Sequence, residues 1–290
     1  MAKNRKDEHY PVVREGRMQF TGPFVVPQVE VNIEQYLSKV NRRLYRQSRC
    51  YTMKIDIDAT AAQTYNVYAL SDSWMNERAL KMAYAMYLEN SEDERDRLKG
   101  TQVARWEDFR VVSGTNYQKL NPLQFTLPGA GPPTPVELAT GEFTNSIVVD
   151  AAGGTKGFTW GNASASRYSI LEEYDKAGNA QDSPSTSTGD VPYDDLMADD
   201  NATMATALQT FGNSPPYDAT GVSADRTWVN VGTLSAGAAQ RLTTGFFKAP
   251  CGIVLITAGA AGDEIVATGP LSWTVKAGDY KGVHAPSLLE

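Results

Sequence analysis

The side chains whose type and spacing could do chemistry fall into two groups of opposite charge. Lys39, Arg42, Arg43, Arg46 and Arg49 place five positive charges within one short stretch, with Tyr45 among them. Such a cluster can neutralise phosphates, and an interleaved ring can stack on a base. Lys3, Arg5 and Lys6 add positive charge at the N-terminus. A helix packed by its apolar face, with a merely solvated basic side, accounts for the central cluster equally well, and both readings stand. The acidic group is Asp190, Asp194, Asp195, Asp199 and Asp200, a collection of oxygens of the kind calcium requires. Its spacing matches no calcium loop, so a solvated acidic loop is expected.

Other chemistry finds little support. Gly153-Gly154-Thr155-Lys156-Gly157 lacks the spacing of a phosphate-binding loop and reads as a hairpin tip. Asp56 and Asp58 form a carboxylate pair only on the polar side of an alternating strand, where a solvated face is expected. The two histidines, His9 and His284, are far from any candidate nucleophile in the sequence, which leaves no basis for a histidine triad or a multi-histidine metal site. Cys50 and Cys251 lie in or beside strand-like runs without redox or metal spacing, and read as reduced core thiols.

Charge is segregated along the chain. Through Arg49 ten bases oppose five acids, whereas between Gly141 and Asp225 three bases oppose thirteen acids. This asymmetry points to one nucleic-acid-facing end and one acidic, solvent-facing region.

The elements that must position these groups are mostly strands. A polar start punctuated by Pro11, Pro23 and Pro27 suggests an extended N-terminal arm over residues 1–30. Asn32 as cap, Gln35 three residues on, and Ile33, Leu37, Val40 and Leu44 at helical spacing predict a basic amphipathic helix over 31–49. Strict alternation predicts a strand over 51–58, and a second run follows at 64–70. A helix capped by Ser71, Asp72 or Ser73 carries a stripe of Met75, Ala79, Met82, Ala83 and Met86, expected to pack into the core. Ser91 and Glu94 mark a short continuation. Further strands are expected at 106–112, 143–150, 168–174, 227–234, 241–247, 252–257, 264–267 and 271–275, with a short helix over 202–211 and an exposed tract over 182–190. Their number and spacing predict an all-β fold, an eight-stranded antiparallel jelly-roll sandwich with a helix inserted between early strands. Residues 50–290 would form this domain, with 121–225 as long outward loops or a projection.

Val40-Asn41-Arg42-Arg43-Leu44-Tyr45-Arg46-Gln47 leading into a strand, the helix from Trp74 after Asn66-Val67-Tyr68-Ala69-Leu70, and Ala104-Arg105-Trp106-Glu107-Asp108-Phe109-Arg110 resemble the single jelly-roll capsid proteins of small icosahedral viruses. The likeness is to those of circular single-stranded DNA viruses and their bacilladnavirus-like and nodavirus-like relatives, and covers about the first 115 residues. It implies a non-enzymatic shell subunit of the virion, made in the host cytoplasm or nucleus. Its partners would be further copies of itself, genomic nucleic acid on the inner face and a host receptor, without membrane insertion. No cofactor is implied, although calcium could sit at subunit interfaces through Asp194, Asp195, Asp199 and Asp200. The sequence departs from the family in its mildly basic arm, where many such capsids carry dense arginine runs. Two rivals are a carbohydrate- or receptor-binding sandwich, which exposed Trp160, Trp228 and Trp273 would favour, and a hydrolase with two acids facing across a cleft.

Overall fold

The computed structural model describes residues 12–19, 28–59, 62–98, 108–114, 118–119, 146–150, 153–179, 227–238, 240–258 and 270–289. Among them strands outnumber helices and pair mostly antiparallel, and two sheets pack face to face as a sandwich. The first sheet holds β1 (Glu15–Gln19), β13 (Pro270–Val275) and β3 (Cys50–Ala59) in that order, with β10 (Gln240–Thr243) and β11 (Phe247–Pro250) sharing the far edge of β3. The second runs β5 (Gln118–Lys119), β2 (Gln28–Asn32), β12 (Ile253–Ala258), β4 (Gln63–Leu70) and β9 (Trp228–Ala236).

Period-two alternation explains the shared core. Met53, Ile55 and Ile57 of β3 point the same way as Leu271, Trp273 and Val275 of β13, and meet Val31, Tyr65, Val67, Val254 and Ile256 from the opposite sheet. Cys50 and Cys251 are both buried and free. Burial pushes the Cys50 thiol up to about 11 and Cys251 well above the ordinary range.

The N-terminal region differs from its expectation. Residues expected as an arm supply β1 and β2 to the two sheets, because Gln28-Val29-Glu30-Val31-Asn32 itself alternates and finds β12 as partner. The expected helix over 31–49 is α1 (Ile33–Asn41) alone. Asn32 belongs to β2 and makes no side-chain cap; its amide donates to Glu30 Oε1 at 2.8 Å instead. The helix stops because Arg42 turns left-handed at φ 50° and Ser38 Oγ accepts from Tyr45 N at 2.8 Å, folding the chain back on itself.

Beyond β4, α2 (Trp74–Asn90) is capped by Ser73, whose hydroxyl accepts from Asn76 N at 3.3 Å. Ala79, Leu80 and Ala83 are buried, but Met75 and Met82 are only half-buried and Met86 is exposed, so the methionine stripe is not a core stripe along its length. The short α3 (Glu92–Leu98) follows. A third sheet of β6 (Ile147–Val149), β7 (Thr155–Thr159) and β8 (Arg167–Ser169) packs with α4 (Ile170–Asn179) against α2. The described part of 121–225, expected as long outward loops or a projection, holds a sheet and a helix packed on α2, with Gly153 and Gly154 at the β6–β7 hairpin turn. The strand expected over 168–174 gives way to α4 after Ser169, whose hydroxyl accepts from Glu172 N at 3.4 Å. Ile170, Leu171 and Tyr174 then share a helical face.

Residues 108–112, expected as a strand, are irregular apart from a bridge of Val112 to Thr159. The Gln47 amide replaces a neighbouring strand there: Oε1 accepts from Val111 N at 2.7 Å and Nε2 donates to Val111 O at 3.0 Å. The strand expected over 241–247 is broken between β10 and β11 at Gly245, φ 71°. The strand over 264–267, the helix over 202–211 and the tract over 182–190 lie outside the described residues.

Candidate nucleic-acid interface

The left-handed end of α1 decides which bases face solvent. Arg42, Arg43 and Arg46 are exposed on the turn that follows it. Lys39 is half-buried, and burial pulls its ammonium below the ordinary lysine range. Arg49 is committed within the fold: its Nη1 donates to Ala285 O at 2.9 Å and its guanidinium lies 3.7 Å from the centre of the Tyr280 ring. Lys3, Arg5 and Lys6 lie outside the described residues.

The predicted stacking ring is not available. Tyr45 is fully buried, its hydroxyl donating to Lys281 O at 2.9 Å, because the backbone return at Ser38 drives it into the core. Tyr280, half-buried and 235 residues further on, takes that place: its hydroxyl accepts from Arg46 N at 3.2 Å. Lys281 beside it is exposed, its Nζ donating to Leu44 O and lying 5.3 Å from the Tyr280 ring centre. The C-terminal loop and the α1 exit therefore form one basic surface from Arg42, Arg43, Arg46, Arg49 and Lys281, with Asp279 as an acid on the same loop. Tyr280 and Lys281 escaped sequence reasoning because no local pattern ties residue 280 to residue 46. A positive surface of this kind attracts phosphodiester backbones without reading bases.

The chain enters the described fold beside this surface. Val13 N donates to Asn41 Oδ1 at 2.9 Å, Asn41 Nδ2 donates to Val13 O at 3.0 Å, and Val12 packs against Gly282.

Behind the surface lies a buried ionic group. Arg110 Nη1 donates to Glu34 Oε1 at 3.1 Å, and Asp108 Oδ2 stands 3.6 Å from Arg110 Nη2 while accepting from Gln47 N at 2.9 Å. Burial, opposed by Arg110, pushes the Glu34 carboxyl up to about 7 and raises Asp108 as well. Asp56, expected on a solvated face, is buried beneath Arg241 at 3.0 Å and Lys54 at 3.4 Å. Burial alone would raise its carboxyl, but hydrogen bonds from Thr243, Arg241 and Lys54 hold it below the usual range.

The remaining site candidates divide simply. Asp190, Asp194, Asp195, Asp199 and Asp200 lie outside the described residues, and among the described residues no group of three acids, histidines or cysteines could hold a metal ion. Trp160 and Trp273 are buried and Trp228 is half-buried, so they form no sugar platform. Among the described residues Trp74 is the exposed tryptophan, 65% accessible, with Arg78 at 5.6 Å from its ring. No helix among the described residues is long and apolar enough to cross a membrane.

No protein family, curated protein or solved structure matches the chain.

Proposed function

We propose that this chain is the coat subunit of a small icosahedral virus, assembling with copies of itself into a closed shell around a nucleic-acid genome. In this reading the sandwich is an eight-stranded jelly roll made of β1, β2, β3, β4, β9, β10 with β11, β12 and β13. Its support is the strand order: β1-β13-β3-β10 faces β2-β12-β4-β9, and the chain crosses between the sheets at every step except β4 to β9. A rigid sandwich of this kind presents the same surfaces on every copy, as closed point-group assemblies require.

Fold alone does not carry function. The observation that carries this reading is the entry of the N-terminal chain beside the exposed bases Arg42, Arg43 and Lys281. Covalent geometry confines Lys6 to within about 20 Å of Val12, so the N-terminal bases and the surface can engage the same polyanion. The virion is the proposed location, and an unidentified host receptor the third partner. Calcium between subunits through Asp194, Asp195, Asp199 and Asp200 belongs to the same proposal.

Negative-stain microscopy of the purified protein tests the reading. Uniform closed particles are expected; a protein that stays monomeric at high concentration would overturn it.

A further inference from the structure

We propose that the cleft between α2, β6 and α4 is a binding site for a small uncharged aromatic molecule. Its volume is about 690 Å³, within the roughly 300–1,000 Å³ of small-molecule sites. The floor is closed by the buried side chains of Ala83, Val148, Phe158 and Ile170. Met86 and Val149 form an apolar lip, exposed by 54% and 55%. Met82 and Tyr168 line the cleft as well, and thioethers beside rings suit an aromatic occupant, because sulfur packs favourably against ring edges and adapts its shape.

The polar groups of the cleft set the charge of the ligand. Asn90 is committed to the β6 backbone, donating to Val149 O and accepting from Val149 N, both at 3.2 Å. Asp150 Oδ1 accepts from Gly154 N at 2.7 Å, and Oδ2 lies 3.7 Å from Lys156 Nζ. Lys156 in turn lies 4.7 Å from the Tyr168 ring centre. Asp150 and Glu173 are the charged residues among those that line the cleft, and both are carboxylates. An anionic ligand would meet like charge there with its counter-charge already engaged, whereas a neutral ring loses nothing. The inference concerns the subunit itself and does not depend on assembly.

Two fluorescent probes that share one skeleton test it: neutral N-phenyl-1-naphthylamine and its sulfonated relative 1-anilinonaphthalene-8-sulfonate. The neutral probe is expected to bind saturably at one site per chain, and the sulfonated one about ten-fold more weakly. Met86→Glu should abolish neutral-probe binding at unchanged melting temperature, and Glu173→Gln should narrow the gap between probes. Should Met86→Glu unfold the chain, Val149→Ser on the opposite lip is expected to weaken binding instead. Unsaturable fluorescence, equal affinity for the two probes, or indifference to both lip variants would overturn the proposal. So would binding that appears only on dilution, which would mean that a second copy fills the cleft.

Discussion

Arg110 and Glu34 meet at 3.1 Å with both side chains almost entirely out of solvent, joining the 108–114 segment to α1. The pair sits in an acid-rich pocket. Asp108 shares the guanidinium, Tyr51 and Cys251 pack nearby, and a Cβ at Gly252 would fall 2.9 Å from Glu34 Oε2.

This arrangement predicts a pH dependence of stability. Below pH 4.5 Glu34 is protonated in both folded and unfolded chains, and its contribution is fully present. As pH rises, the unfolded chain releases the proton first while the folded chain keeps it to about 7, so the contribution is lost across that window. The loss is roughly 3 kcal/mol. Asp108, also raised, acts in the same direction, whereas Asp56, held low, acts only in more acidic solution. Glu34→Gln should flatten the fall in melting temperature between pH 5 and pH 7. Parallel curves for variant and parent would defeat the assignment.

Gln47 supplies the second prediction. Its amide satisfies both backbone groups of Val111, which have no strand beside them. Gln47→Ala should cost about 2–4 kcal/mol by leaving a buried N–H and C=O unpaired. Gln47→Glu, nearly equal in shape, sets an oxygen against Val111 O and should be no milder. Chemical denaturation reads both, and a loss below 1 kcal/mol in each would show that the amide is dispensable.

At the first sheet's edge the Trp273 indole lies against Gly16, its register partner, so that a Cβ at Gly16 would overlap the ring. Gly16→Ala should therefore cost about 1–3 kcal/mol as an overpacked site. Tryptophan fluorescence should report a displaced indole. An unchanged spectrum and melting temperature would mean that β1 does not lie over Trp273.

The basic surface predicts a separation between binding and stability. Replacing Arg42, Arg43 and Arg46 with Gln should lower the salt slope of nucleic-acid binding by about 2–3, independent of sequence. Folding should be preserved, because these side chains are exposed. Arg49→Gln should instead lower the melting temperature, since it loses Tyr280 and the Ala285 carbonyl. If the proposed coat-subunit reading holds, particles of the triple variant should show a lower 260 to 280 nm absorbance ratio. If the triple variant and the parent behave alike in these measurements, the cluster is only a solvated surface.

Local periodicity determined what the sequence alone could determine. The alternation of β3, the short strand runs of β4, β12 and β13, a cap for α2 among Ser71, Asp72 and Ser73, and the two buried, free cysteines were legible because each is written within a few consecutive residues. The end of α1 was not, since an arginine rather than a glycine takes the left-handed turn and Ser38 holds the return through Tyr45. Nor was the irregular backbone of 108–112, where Val111 bonds to Gln47 while Arg110 bonds to Ser146 and Val112 to Phe158 and Trp160. The basic surface was half legible: its arginines form a local run, but Tyr280 and Lys281 join them only by packing, and Tyr45 leaves them by the same cause. Long-range contacts decide these points because a backbone or side-chain group takes whichever partner the fold brings near, and sequence spacing carries no record of that partner.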